Sequence, residues 1–376
     1  MNKEEFIEEE KLYDNDREID IVNPFDPKEV NIESKPMVLS NIIDRLKDGA
    51  INLDPDFQRK PDLWDKKKQS RLIESLLIRI PLPIFYFDMP DDDDLIVVDG
   101  LQRLCAIRNF MVYEVGDERC LKLEGLEYLR ELTGKSYYDL PGNLQRRLKE
   151  QVIQTYLIKA GTPDKVRNSI FERINTGGMV LTSAEIRNSV YRGRAANLLK
   201  KMVEVSEFKL ATDGKIKSER MLDREFANRF LAFYLLGIEN YHENLDDFLN
   251  DVLIRVKNDD SIDCDDLVNR FSNALKLARI IFGKEAFKKP RRDGKPGTMI
   301  NKPLFESVMV QFALLTAEDK SKLIKNSDAF LSKYRELLND DRFINVITNG
   351  TAKLSSVEFR HSEMRRIIVE ALKTRR

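Results

Sequence analysis

Three short stretches of this chain hold residue types suited to binding or acting on an anion. The first is Asp99-Gly100-Leu101-Gln102-Arg103, which follows the β-rich run Leu95 to Asp99 and opens a stretch with helical spacing in Leu104, Ile107 and Phe110. Where a strand turns into a helix, free backbone N–H groups and the positive end of the helix dipole face one point, the arrangement that holds a phosphate. Gly100 lets a ligand come close to the backbone, Arg103 offers a forked donor pair to phosphate oxygens, and Asp99 can hold a ribose hydroxyl or a metal ion. Asp99 and Gln102 are the candidates for catalysis. Spacing alone is equally consistent with an ordinary β-to-α turn in which Asp99 caps the helix.

The second stretch ends a helix in Arg173-Ile174-Asn175-Thr176-Gly177-Gly178, and a new helix opens at Thr182 with Glu185 at the spacing of a capping box. Arg173, Asn175, Gly177 and Gly178 are candidates for the other wall of a ligand cleft, while Glu185 reads as a cap. The third stretch is Gln58-Arg59 with Trp64, the only tryptophan, where an arginine and an aromatic ring can frame phosphate and base. Trp64 can equally be a core plug.

The elements that would position these residues change character along the chain. The opening, residues 1–34, carries nine acidic residues before Ile21 and reads as an acidic arm that is mobile or docks late. From 35 to 195 strands alternate with helices. Short strands are expected at Met37 to Leu39 and Ile51 to Leu53, with a helix capped by Ser40 between them and Gly49 at its stop. A helix runs through Leu72, Ile73, Leu76, Leu77 and Ile80 to Pro81, and Ile84 to Asp88 with Leu95 to Asp99 form a hairpin whose tip holds four aspartates. A helical insert (Gly125 to Lys149), a strand (Val152 to Ile158) and a helix opening at Thr162-Pro163 follow. From 196 to 376 only helices are expected, near Arg224 to Leu236, Leu245 to Val256, Cys264 to Phe282, Pro303 to Leu315 and Ser356 to Leu372. A basic Pro/Gly-rich loop, Lys288 to Gly297, interrupts them.

Composition bounds the function. The 376 residues, 42% hydrophobic, can bury a sizeable core, and 63 Lys+Arg against 64 Asp+Glu offer no global field for a polyanion. No run is long and apolar enough for a membrane span, and the acidic start is unlike a signal peptide, so the expected location is the cytoplasm. Cys105, Cys120 and Cys264, with only His242 and His361 beside them, fit reduced thiols and leave little for zinc.

Taken together, the segments PDFQRKPDLWDKKKQSRLIESLLIRIPLPIFYFD, IVVDGLQRLCAIRNF and IFERINTGGMVLTSAEIRN resemble the N-terminal domain of GmrSD-type type IV restriction enzymes, over about Met37 to Tyr191. That family's central motif is Asp-Gly-Gln-Gln-Arg, and here Leu101 stands in place of the first Gln. The resemblance implies an α/β fold, a ParB/sulfiredoxin-like mixed sheet with helices, followed here by an all-α domain. It also implies a nucleoside triphosphate, with Mg2+, held by Asp99, Gly100, Gln102 and Arg103, by Arg59 from the upstream Gln-Arg and by Asn175 from the downstream Asn-x-Gly-Gly. The family's DNA cleavage resides in a C-terminal HNH-type domain, and neither His242 nor His361 has the second histidine or proline that such a site needs. Pro61-Asp62 with Asp65 and Lys67 only faintly imitates another nuclease motif and reads as a solvated helix start.

The function expected is a triphosphate-binding sensor or regulator of antiphage restriction, with slow NTP hydrolysis open, acting with a separately encoded effector. The alternative is a ParB-like DNA-binding protein or nuclease that cuts foreign or modified DNA directly, and a third class is an adaptor with a vestigial pocket. Lys288 to Gly297 and the basic residues Arg187, Arg192, Arg194, Lys200 and Lys201 keep DNA contact open.

Overall fold

The computed structural model describes residues 12, 26–53, 64–90, 94–174, 181–290 and 297–374. Its described residues divide into two compact units, one within Asn23–Ile186 and one within Arg187–Arg376.

The first unit is α/β. Its described strands are β1 (Ile32–Ser34), β2 (Met37–Val38), β3 (Ile51–Asn52), β4 (Phe85–Asp88), β5 (Leu95–Asp99), β6 (Val152–Ile153) and β7 (Thr155–Ile158). Its helices are α1 (Leu39–Lys47), α2 (Lys66–Leu77), α3 (Leu101–Met111), α4 (Gly142–Lys149) and α5 (Asp164–Ile174), and the division between units falls inside α6 (Ser183–Val190). The main sheet has the order β1-β7-β4-β5-β3, with β4 parallel to β7, β3 parallel to β5 and the other neighbours antiparallel. Strand alternation explains its two faces: Phe85 and Phe87 of β4 and Leu157 of β7 point into the core with Leu72, Ile73, Leu76 and Leu77 of α2 and Leu104 and Ile107 of α3, while Tyr86 and Tyr156 point the other way.

Several expectations hold and some shift. Ile84 to Asp88 and Leu95 to Asp99 do pair as an antiparallel hairpin, whose tip, Asp91 to Asp93, lies outside the described residues. β1 joins the sheet from within the stretch read as an acidic arm, because Ile32 can add an edge next to Ile158. Ser40 does not cap α1, since the helix starts at Leu39 with Val38 at its N-cap and no side-chain bond there. The helical insert condenses to single turns at Arg130–Leu132 and Tyr137–Asp139 followed by α4. That irregular segment is held by Glu74, a buried residue of α2 whose carboxylate accepts from the N–H groups of Glu127 (3.0 Å), Tyr128 (2.7 Å) and Leu129 (2.8 Å).

Burial opposes the Glu74 charge, but those three N–H donors and Arg71 outweigh it and hold the carboxyl below its ordinary 4.5. A carboxyl lowered in the folded chain stabilises above its unfolded pKa, and that stability disappears as pH falls through the folded value. Glu74→Gln is therefore expected to cost about 1.5–3 kcal/mol at neutral pH and to flatten the acid limb of the stability profile. Urea titrations of both proteins between pH 3 and 7 check this. An unaltered acid limb in the variant would assign the anchoring to other groups.

The second unit is all helical: the end of α6, then α7 (Arg194–Glu204), α8 (Ser206–Ala211), α9 (Leu222–Leu235), α10 (Leu245–Asn258), α11 (Cys264–Phe282), α12 (Lys302–Leu314), α13 (Ala317–Lys325), α14 (Ser327–Leu338), α15 (Asp341–Val346) and α16 (Leu354–Lys373). α11 shows how local chemistry sets the ends. Asp263 accepts from the N–H groups of Asp265 and Asp266, both at 3.0 Å, and Gly283 stops the helix at φ 60°. α12 is buried along its whole length from Pro303 to Ala313, the mark of a central helix.

A chain of charges, buried apart from the half-exposed Asp246, crosses this unit. Asp246 of α10 and Glu225 of α9 both bind Arg187, at 2.6 and 2.5 Å, and Arg229 reaches Glu225 at 3.5 Å and Glu306 of α12 at 3.2 Å. Arg360 of α16 closes on Glu306 through both Nε and Nη2 and donates from Nη1 to the Thr351 carbonyl. Burial works against the Glu225 charge, yet Arg187 and Arg229 overcome it and hold its carboxyl down at about 2. Burial, with the Arg360 charge added, keeps His361 neutral. These placements bear on two cations that the sequence left open to DNA. Arg187 is 3% exposed and doubly paired, so its guanidinium is buried against carboxylates, and Arg194 donates to the Val256 and Asp259 carbonyls at 3.2 and 2.5 Å and to that of Ile262. The cost of removing a paired guanidinium from its carboxylates explains why such groups stay inside.

Candidate functional site

The Asp99 turn takes its shape from Gly100. At φ 106° and ψ 7°, this residue lies in the left-handed region, and a Cβ there would overlap the Phe85 ring. Only glycine turns β5 into α3 at this angle. Gly100 is the N-cap of α3 and makes no side-chain cap bond, so the first-turn N–H groups of the helix have no side-chain acceptor from the cap.

The side chains around the turn divide their tasks. Arg103 is 8% exposed and points inward: Nη1 donates to the Pro83 carbonyl, while Nη2 donates to the Ile84 carbonyl at 3.2 Å and to Asp99 Oδ2 at 2.8 Å. Its guanidinium also lies 4.3 Å above the Phe85 ring. The donors that spacing assigned to phosphate thus first tie the turn to the segment leading into β4. Asp99 is about a third exposed, and burial pushes its carboxyl up against the opposing pull of Arg103 and the Gly100 N–H. Gln102 accepts from the Trp64 N–H at 3.2 Å, the Trp64 carbonyl accepts from Gln69 at 2.8 Å, and Gln69 in turn accepts from Asn109 at 3.1 Å. Trp64 packs against the core with Lys68 4.6 Å above its ring, so it serves both as plug and as brace for Gln102.

The sheet extends this site across its outer face. Asp99 is the register partner of Tyr86, Tyr86 of Tyr156, and Tyr156 of Ser34, so these four occupy one row over β5, β4, β7 and β1. The Tyr86 and Tyr156 rings stack with centroids 5.4 Å apart. Burial raises the Tyr86 hydroxyl, and the neighbouring Tyr156 and Asp99 add to the shift. Over this face runs α5, where Arg167 pairs with buried Asp88 at 3.4 Å. Ile170, Arg173 and Ile174 of α5 face Ile32, Ile84 and the two tyrosines across a groove of about 400 Å³.

The structure therefore joins Asp99, Gly100, Gln102, Arg103 and Trp64 at one turn, and sets Arg173 on a groove that includes the neighbour of Asp99. Arg59, Asn175, Gly177 and Gly178 lie outside the described residues. Thr182 and Glu185 form the expected capping box, the Glu185 carboxylate accepting from the Thr182 N–H at 2.6 Å. Sequence reasoning missed Tyr86 and Tyr156. Their signal was present as the outward positions of Phe85-Tyr86-Phe87 and Thr155-Tyr156-Leu157, but it has meaning only once the two strands are known to be neighbours. His242 is exposed and His361 fully buried, and among the described residues no group of three or more His, Cys, Asp or Glu is placed to hold a metal ion.

The turn, its helix and the strands around it lie within one matched segment. Residues 39–192 match the GmrSD restriction endonuclease N-terminal domain. No curated protein and no solved structure matches the chain. The GmrSD N-terminal domain spans α1 through α6 and contains the Asp99 turn and most of the groove, with Ile32 and Ser34 of β1 outside it. It points to a restriction-type defence role. Among the described residues no helix is long and apolar enough to cross a membrane.

Proposed function

We propose that the chain binds a nucleoside triphosphate, with Mg2+, at the Asp99 turn and regulates a restriction-type defence activity executed by a separate effector. The observation that supports it is the α3 N-terminus. A glycine-capped helix start with no side-chain cap bond follows directly on a sheet strand, and the neighbouring Asp99 carboxylate is about one-third exposed. Backbone N–H groups there receive a phosphate oxygen and the helix dipole favours its charge. In this reading Arg103 is a positioning residue that keeps the turn on β4, Gln102 holds its place through Trp64, and Asp99 faces the ribose or the Mg2+ bound to the phosphates. Arg173 supplies an exposed cation on the same face. Hydrolysis, where it occurs, is expected to be slow, because in this reading the turn binds the phosphates and Asp99 is held by Arg103.

Thermal unfolding with each of the four ribonucleoside triphosphates and Mg2+, and with inorganic tripolyphosphate, tests this. A ligand at a hundred times its dissociation constant adds about 2.7 kcal/mol of stability, a shift of several degrees. The same purified protein is expected to leave plasmid DNA uncut. No shift with any triphosphate overturns the binding reading, and metal-dependent nicking that Asp99→Ala abolishes transfers the turn to nuclease chemistry.

A further inference from the structure

The groove beside the Asp99 turn has a lining of its own. Four isoleucines make it mainly apolar, its other described lining residues are Tyr86, Tyr156 and Arg173, and its volume of about 400 Å³ is that of a small-ligand site. Such a lining suits a flat, weakly polar ring whose edge carries a few hydrogen-bonding atoms. It does not suit phosphate or sugar, whose hydration the isoleucines cannot replace.

We propose that this groove is the nucleobase subsite of the ligand whose phosphates the Asp99 turn holds, a reading that rests on the triphosphate proposal above. Three features support it. The Tyr86 and Tyr156 rings already lie nearly parallel, 18° apart, so a third planar ring continues their stack without any rearrangement of the strands. Tyr86 is the cross-strand neighbour of Asp99, and such neighbours stand about 5 Å apart, which brings the rings within reach of the sugar of a nucleotide seated on α3. Arg173 borders the groove from the last turn of α5, where its guanidinium can lie over the base or meet a phosphate. The base belongs either to a free nucleotide or to an unstacked nucleotide of a nucleic-acid strand, since both present the same ring.

Calorimetric titration separates the cases. Tyr156→Ala is expected to weaken nucleoside triphosphate binding by about tenfold or more, the usual effect of losing one stacked ring, and to leave inorganic tripolyphosphate binding unchanged. Tyr156→Phe, which keeps the ring, is expected to bind as the wild type does. Ile174→Trp fills the groove from α5 and is expected to give the same selective loss, which keeps the test decisive if Tyr156→Ala does not fold. Undiminished nucleotide affinity in Ile174→Trp or in folded Tyr156→Ala overturns the base subsite while leaving the phosphate site standing. If the wild type binds no triphosphate of any kind, the phosphate reading fails and the groove is judged on nucleosides and short single-stranded oligonucleotides. Binding of these that Tyr156→Ala removes keeps the ring site and assigns it to a strand, and no binding overturns it as well.

Discussion

Glu306→Ala is expected to be the most destabilising single change in the helical unit, lowering its stability by about 3–5 kcal/mol. Glu306 is fully buried in the middle of α12, and its two oxygens are the acceptors for Arg360 and Arg229, which are 1% and 2% exposed. Removing the carboxylate leaves two guanidinium groups in a buried interior with a principal counter-charge gone, and the Arg229 contact to Glu225 is long, at 3.5 Å. The loss therefore exceeds that of a surface pair, which is worth about 1 kcal/mol or less. Hydrogen exchange of the α12 and α16 amides, read beside denaturant unfolding, localises the effect and avoids assuming that the two units unfold together. A change below about 1 kcal/mol would show that water reaches the network. Restoration of stability by replacing Glu306, Arg229 and Arg360 together with apolar residues would confirm that uncompensated charge causes the damage.

Gly100→Ala is expected to disable the candidate site and to destabilise the α/β unit by roughly 2–5 kcal/mol, combining backbone strain at a φ that side chains avoid with overpacking in the core. The added methyl overlaps Phe85, which is fully buried and has the Arg103 guanidinium 4.3 Å from its ring, so relief requires moving either the ring or the turn. Either movement disturbs the bonds from Arg103 to Asp99 and to the Ile84 carbonyl. Loss of triphosphate binding is expected even at temperatures where the variant is still folded. Chemical denaturation and calorimetry on the same preparation measure both effects. A variant that binds nucleotide with wild-type affinity would remove the turn from the site.

Local chemistry made much of this protein legible from its residues in order. The β-rich runs Ile84 to Asp88 and Leu95 to Asp99 marked two strands, the run Cys264 to Phe282 marked α11, and the Thr182–Glu185 spacing announced a capping box, because each of these signals acts over a few residues. The motif segments around Asp99 likewise pointed to the GmrSD N-terminal domain found at residues 39–192. The helices α13 and α15 gave little signal, since each buries essentially one large apolar side chain, Leu323 or Phe343.

What only the tertiary structure decided concerns partners far apart in the chain. The sequence read Arg103 as a phosphate donor and Arg187 as a cation open to DNA, while the fold makes one a brace for the turn and the other a member of a charge network with Glu225 and Asp246. Tyr86 and Tyr156, seventy positions apart, became one stacked pair because β4 and β7 run parallel and in register. Residue type and spacing determine which elements form and which groups are chemically capable. Whether a given charge or ring faces solvent, a counter-charge or another ring depends on which strands and helices pack together, and short-range spacing carries no record of that packing.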